Sequence, residues 1–418
     1  MRKLHALLIA LLFLSVIACG GKDNPVDRTD PFELRKIPAE LAADVETVVE
    51  ANNRFALDLY GALKNREGNL FFSPFSISTA LAMTCAGARN ETADEMESAL
   101  HFDVVQDNLH ASYGALVESI DRGSTTGGYR LSTANRLWGQ AGYHFLDEFL
   151  ATCANDYHAP MDTLDFVADP ESARVTINDW VEEKTEGKIE DLLQPGTIHD
   201  LIRLVLTNAI YFKGDWLYQF DETETVSRPF HLSGGGETFA PFMSQREGFG
   251  YLQGDGFAAL EMLYVGEDLS MLVFLPDERD GLGEIEAQLT HENLESWIAS
   301  LDTRTVDVFL PSFTFTTTFA LVPELAELGI EDAFIPGAAD FSGIDGTREL
   351  FIGDVIHKAF VQVNEEGTEA AAATAVTVDA SSIPDYPVFR ADHPFLFLIL
   401  DRVTGSILFL GRVDDPTA

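Results

Sequence analysis

Lysine is scarce in this sequence: 8 of 418 residues, against 19 arginines. Aspartate and glutamate number 68, so the formal charge is −41. A nucleic-acid partner is excluded by that balance, because phosphate contacts need a basic surface. The carboxylate excess fits either a salty medium, where screening tolerates self-repulsion, or an ordinary acidic secreted protein. Cysteine is nearly absent too, with Cys19, Cys85 and Cys153 alone. There is no CxxC and no Cys/His ligand spacing, so no zinc site is expected. GxSxG, HExxH, GxxxxGK[ST] and GxGxxG are all missing. The ten histidines are scattered, and pairs such as Glu365-Glu366 carry no information in so acidic a chain. No catalytic residue, metal or cofactor is expected.

Long apolar runs are also lacking, except at the start. Residues 1–18 begin Met1-Arg2-Lys3-Leu4 and continue with an apolar stretch from Leu7 to Ala18. That stretch is short for a membrane span and has the form of a signal peptide. Its end, Val16-Ile17-Ala18-Cys19-Gly20, is similar to a bacterial lipobox, which predicts a lipid on Cys19. Ordinary cleavage after Ala18 beside an incidental cysteine is the alternative. Lipidation would place the protein outside the cytoplasm, at the cell surface or in the periplasm, tethered to a membrane. Residues 19–40 are polar, contain Pro25, Pro31 and Pro38, and read as a flexible tether.

What the chain does have is apolar content, 46% of residues, enough for a large core. Apolar positions recur at helical spacing over 41–64, where Asn52 interrupts the stripe, and again at about 76–88, 92–100, 108–121, 145–157 and 171–186. Cys85 lies in one of these patterns and reads as a buried thiol; a disulfide to Cys153 is the alternative. Most strand-like runs come later: 204–212, 258–264, 269–275, 306–310, 313–319, 395–400 and 407–410. Helices first and strands later predict an α+β domain over 41–418, undivided by any linker or repeat.

One segment stands apart. Residues 359–389 read AFVQVNEEGTEAAAATAVTVDASSIPDYPVF. Alternate residues of a strand face opposite sides. One side would carry Thr368, Ala370, Ala372, Thr374, Val376 and Val378, all small or β-branched; the other carries both charges, Glu369 and Asp379. The first side can be buried without stranding a charge. Small side chains also let such a strand slide between two existing ones.

This segment resembles the hinge and reactive-centre loop of a serpin. Further stretches are similar to that family's signatures: Asn69-Leu70-Phe71-Phe72-Ser73-Pro74-Phe75-Ser76-Ile77, Asn208-Ala209-Ile210-Tyr211-Phe212-Lys213-Gly214-Asp215-Trp216, Leu310-Pro311-Ser312-Phe313, His393-Pro394-Phe395-Leu396-Phe397 and Leu408-Phe409-Leu410-Gly411-Arg412-Val413. The resemblance covers roughly 41–416 in order. It implies about nine helices around three β-sheets with an exposed reactive-centre loop. It also implies a suicide inhibitor of serine proteases, and in some members of cysteine proteases, that forms a covalent complex and inserts its cut loop into the central sheet. The alternative within the family is a non-inhibitory binding or structural module.

Residue by residue, the resemblance implies a hinge at Glu366, Gly367, Thr368, Glu369, Ala370, Ala371, Ala372 and Ala373. Its small residues match inhibitory members. The cleaved bond falls at Ser381–Ser382, with Ala380–Ser381 as the alternative. A small residue before the bond suits elastase-like or subtilisin-like targets. Ser73, Ser76, Asn208 and His357 match the polar cluster that lets the central strands part. Trp216 matches the aromatic where the hinge enters, or is plain core. The stretch that binds heparin in some members, about 100–122 here, has Arg122 as its single Lys or Arg, so heparin is not expected. The chain is expected to act as a monomer.

Overall fold

The computed structural model describes residues 36–103, 106–126, 129–368 and 386–418. Cys19, the leader and most of the expected tether lie outside them. So do Glu369, Ala370, Ala371, Ala372, Ala373, Ala380, Ser381 and Ser382.

Ten α-helices occur among the described residues: α1 Ala42–Leu63, α2 Pro74–Cys85, α3 Asn90–Ala99, α4 Gln106–Thr126, α5 Asp147–Asp156, α6 Pro170–Lys184, α7 Leu282–Gln288, α8 His291–Ala299, α9 Val322–Glu327 and α10 Ser342–Asp345. Local chemistry sets several starts. Ser73 caps α2, its Oγ accepting from Ser76 N at 3.1 Å with Pro74 following; Asp169 and Pro170 do the same for α6. In α1 the buried face includes Val45, Val48, Val49, Phe55, Leu59 and Leu63, as the spacing predicts.

The strands are β1 Leu70–Phe72, β2 Tyr129–Gln140, β3 Met161–Leu164, β4 Leu204–Asp215, β5 Val226–His231, β6 Glu237–Gln253, β7 Phe257–Leu263, β8 Leu269–Pro276, β9 Asp302–Pro311, β10 Phe313–Ala320, β11 Ile356–Val363, β12 Gly367–Thr368, β13 Val388–Arg390, β14 Phe395–Asp401 and β15 Ile407–Val413. They form a nine-stranded sheet in the order β1-β15-β14-β8-β7-β6-β9-β13, with β5 on β6, and a six-stranded sheet in the order β10-β11-β4-β2-β3, with β12 on β4. Two of the three sheets implied by the resemblance are continuous with each other in the nine-stranded sheet. The long strand β6 pairs β9 over Phe242–Tyr251 and β7 over Gly250–Gln253, stitching two smaller sheets together. The architecture is α+β.

The main core draws on both sheets and α1, α2 and α4, with Phe71 stacked on Phe409 (5.0 Å between centroids) and Phe397 (5.7 Å). A second cluster lies where α6 covers β2 and β4 and joins Trp138, Phe166, Ile177, Val181 and Ala209. Cys85 and Cys153 are buried free thiols, not a disulfide; desolvation pushes both up to about 12, so they stay protonated and act as small apolar side chains.

Candidate functional site

Two residues of the expected hinge, Gly367 and Thr368, are already in a sheet. After β11 the chain reverses at Asn364, whose side-chain Oδ1 accepts from Glu366 N and Gly367 N, both at 3.2 Å. An Asn side chain that mimics a turn's carbonyl is what makes such a reversal local. Gly367 and Thr368 then run antiparallel to β4, opposite Asp215 and Gly214. Gly367 is required there. Its φ is +154°, and a Cβ on it would stand 2.1 Å from the Gly214 carbonyl oxygen.

The two strands flanking this entry hardly touch. β11 and β4 run parallel and pair at three positions, Lys358 with Ala209, Ala359 with Ile210 and Phe360 with Tyr211. Beyond Phe360 they diverge, and β12 stands in the gap on β4. Trp216 closes the top. Its backbone N donates to Glu366 O (2.8 Å) and its indole Nε1 to Asn364 O (3.0 Å). Its ring stacks on Tyr264 at 4.6 Å, and the Tyr264 hydroxyl lies 3.1 Å from Thr368 Oγ1. Glu365 is held as well, its carbonyl accepting from Phe220 N (2.8 Å) and its Oε1 from the Thr225 hydroxyl (2.6 Å). Trp216 is therefore both packed in the core, 1% exposed, and bonded to the turn in which the expected hinge begins.

Below the three closing pairs, Ser73, Ser76, Asn208 and His357 form one buried cluster. Ser73 N donates to His357 Nε2 (3.1 Å), which leaves the ring proton on Nδ1, facing Asn208 Oδ1 at 3.3 Å. Asn208 Nδ2 donates to Ser76 O (2.5 Å) and Asn135 Oδ1 (3.0 Å), and Ser73 Oγ donates to Leu408 O (2.7 Å). Burial lowers His357 from 6.5 to about 3, so the ring is neutral. The Ser76 hydroxyl is buried without a partner among the described residues.

Asn135, Asn364 and Tyr264 join these sites although nothing in the sequence reading singled them out. Each sits at a position that neither strand alternation nor helical spacing marks. Asn52, which broke the α1 stripe, also has a reason: it accepts from Ser78 Oγ (2.9 Å) and donates to Ile407 O (3.1 Å), tying α1 to α2 and β15. In α4, Arg122 pairs with Glu118, so no cluster of free bases faces outward there.

The family model for serpin (serine protease inhibitor) matches residues 50–416. The leukocyte elastase inhibitor of Homo sapiens is 44% identical over 382 residues, 89% of this chain and all of that protein. That of Sus scrofa is 45% identical over 383 residues, with the same shares. Among solved structures, uncleaved ovalbumin superposes with a TM-score of 0.81 at 32% identity, covering 88% of this chain and 100% of ovalbumin.

These comparisons correct the localisation expected from the leader. Relatives matched along their whole length include the leukocyte elastase inhibitors of Homo sapiens and Sus scrofa, which are vertebrate proteins and not bacterial lipoproteins held on a membrane. Among the described residues no helix is long and apolar enough to cross a membrane. A lipobox is a short pattern of small residues before one cysteine, so it carries few constraints, far fewer than 382 aligned positions.

Proposed function

The chain belongs to the serpin family, and from that premise we propose that it is a suicide inhibitor of elastase-like or subtilisin-like serine proteases. The protease attacks Ser381–Ser382, or the neighbouring Ala380–Ser381, and forms an acyl enzyme. The cut loop then inserts between β11 and β4 and carries the protease with it before water can release the acyl group. The observation that carries this reading is the antiparallel pairing of Gly367 and Thr368 with β4 in a gap that β11 leaves open.

Continuing that register makes chemical sense at every step. Residues directly opposite on antiparallel strands share a face. Ala370 would then oppose Phe212 and Ala372 Ile210, both buried in the main core, while Val376 would oppose Leu206 and Val378 Leu204. Thr374 would arrive opposite Asn208, in the polar cluster. On the other face, Glu369 would oppose Lys213 and Asp379 would oppose Arg203, so each carboxylate of the new strand meets a base. Insertion has to break only the three β11–β4 pairs. It gains about a dozen backbone hydrogen bonds, on the order of 10 kcal/mol at roughly 1 kcal/mol each before ordering costs. The polar cluster supports the parting of the strands, since hydroxyl, amide and neutral imidazole can each exchange partners.

Incubation with pancreatic elastase, subtilisin and trypsin followed by denaturing gels tests the proposal. A covalent complex with elastase or subtilisin is expected. Nicked inhibitor alone with every protease would instead support the non-inhibitory alternative.

A further inference from the structure

On a molecule of charge −41, three arginines converge beside the root of the reactive loop. Outward positions of adjoining strands are set by register: Ser244 and Arg246 on β6 stand opposite Phe309 and Asp307 on β9, and Val388 and Arg390 on β13 stand beside the same pair. The intervening Val308 and Phe389 are buried, so this is the solvent face. Arg390 lies over the Phe309 ring at 4.6 Å, and Arg228 from β5 lies over the same ring at 5.0 Å. Arg246 lies 5.1 Å from the ring of Tyr386 and donates to Asp307 through Nη2 at 2.9 Å. Asp307 is the one carboxylate among these six outward positions. Neither Arg228 nor Arg390 pairs with a carboxylate among the described residues, and Arg228 Nε is buried with no hydrogen-bond partner there. Val388, beside them, is 56% exposed.

We propose that this arginine face is a docking surface for the target protease, and that it selects proteases carrying acidic residues on the rim of the cleft. This rests on the inhibitory reading above. Ser382 is four residues from Tyr386, so the attacked bond lies within about 14 Å of the face along an extended chain. A protease of roughly 220 residues has a radius of gyration of about 17 Å, so one engaged at that bond reaches well beyond it, over distances that include the face. Screening at physiological salt limits electrostatic reach to about 8 Å, so the local sign governs the contact rather than the net charge. The Phe309 ring holds the guanidinium groups of Arg228 and Arg390 in place, which leaves their donors for an external carboxylate at little ordering cost, while Arg246 is already paired with Asp307. A long polyanion is the poorer fit, because it would extend from this small face across a strongly acidic surface.

The test compares subtilisin with a subtilisin carrying added aspartates on its cleft rim. The readout is the second-order rate of loop attack, counting covalent complex and nicked inhibitor together, from 20 to 500 mM NaCl. The wild-type chain is expected to react on the order of tenfold faster with the acidic-rim enzyme at 20 mM, with the advantage gone at 500 mM. In the Arg228→Gln/Arg246→Gln/Arg390→Gln variant the advantage should vanish while the rate with parent subtilisin is kept. Arg228→Lys/Arg390→Lys, which keeps the charge, should retain much of it and controls for misfolding. Equal rates for the two enzymes, or an advantage that survives in the triple variant, overturns the proposal. So does retention on a heparin matrix at 150 mM NaCl that the triple variant loses, since the face would then serve a polyanion. Absence of covalent complex with an intact rate advantage would fault the inhibitory reading and leave the docking surface standing.

Discussion

Thr368 is 2% exposed, and its hydroxyl lies 3.1 Å from Tyr264. An arginine there has to bury a charge beside the Tyr264 ring, at a cost of several kcal/mol. Thr368→Arg is therefore expected to shift the outcome from covalent complex to nicked product on a denaturing gel; an unchanged fraction of complex would remove the hinge assignment. His357 carries a pH dependence. Its folded pKa, about 3, lies below the ordinary 6.5, so the unfolded chain takes up the proton first. The stability it contributes is complete above pH 6.5 and is lost progressively down to about pH 3, with a slope of about 1.4 kcal/mol per pH unit. His110, lowered to about 4 by burial, acts in the same direction, whereas Asp121, raised to about 6 by burial, opposes it between pH 6 and 3.8. His357→Gln should be less stable at pH 7 yet lose stability less steeply between pH 6.5 and 4 in urea titrations. Parallel curves for the two proteins would contradict this account of the buried imidazole.

At the scale of elements, the extended register makes β4 the template for the inserted strand, and its two bases become measurable. Lys213→Glu would place like charges opposite each other at the first new position, Glu369, and cross-strand repulsion of this kind is destabilising by up to about 1 kcal/mol. Slower insertion after nicking and a larger nicked fraction are expected, with recovery in Lys213→Glu/Glu369→Lys. Failure of the double variant to recover would mean that the register does not continue past Thr368. How far such elements could be read from sequence differs for physical reasons. The helices α1 and α3 to α6 were legible because each buries one stripe, whereas α2 is buried on nearly every side; β8, β14 and β15 were legible because they are buried throughout and apolar at all but a few positions such as Ser270, Asp401 and Arg412. β2 was not, although it is a central strand. It carries Arg136, which is accommodated only because Trp180 (4.6 Å) and Trp138 (5.4 Å) cover it and Asp162 pairs with it. β6 was hidden as well, since its burial changes along 17 residues as it passes from one partner strand to another. At the candidate site, the alternation after Gly367 and the family motifs named Thr368, Trp216 and the polar cluster. Asn364 and Tyr264 become visible only when the turn and the stacked rings are seen in space.

For the whole molecule, the present arrangement is a sheet held partly open. β4 has a full partner in β2, eleven residue pairs long, but shares only three with β11. Beyond Phe360 the ladder between β11 and β4 stops, and on that edge of β4 the two residues of β12, opposite Gly214 and Asp215, stand in place of the long ladder that β2 provides on the other edge. A strand filling that gap would join β2, β4 and β11 into one continuous sheet and cover the upper part of the main core. Cleavage frees the loop to do this because the segment after Thr368 is no longer tied at both Thr368 and Tyr386. A net gain of even part of the gross 10 kcal/mol is large against the 5–15 kcal/mol typical of a folded domain. Nicking at Ser381–Ser382 with a catalytic amount of subtilisin should therefore raise the thermal midpoint by well over 10 °C, since about 1 kcal/mol moves a large domain by roughly 2 °C or more. Differential scanning calorimetry of nicked and intact protein at equal salt measures this, with equal salt needed because a charge of −41 makes both states sensitive to screening. An unchanged midpoint in a fully nicked sample would mean that the severed peptide stays outside the sheet, and an inhibitor that works by insertion would then be excluded.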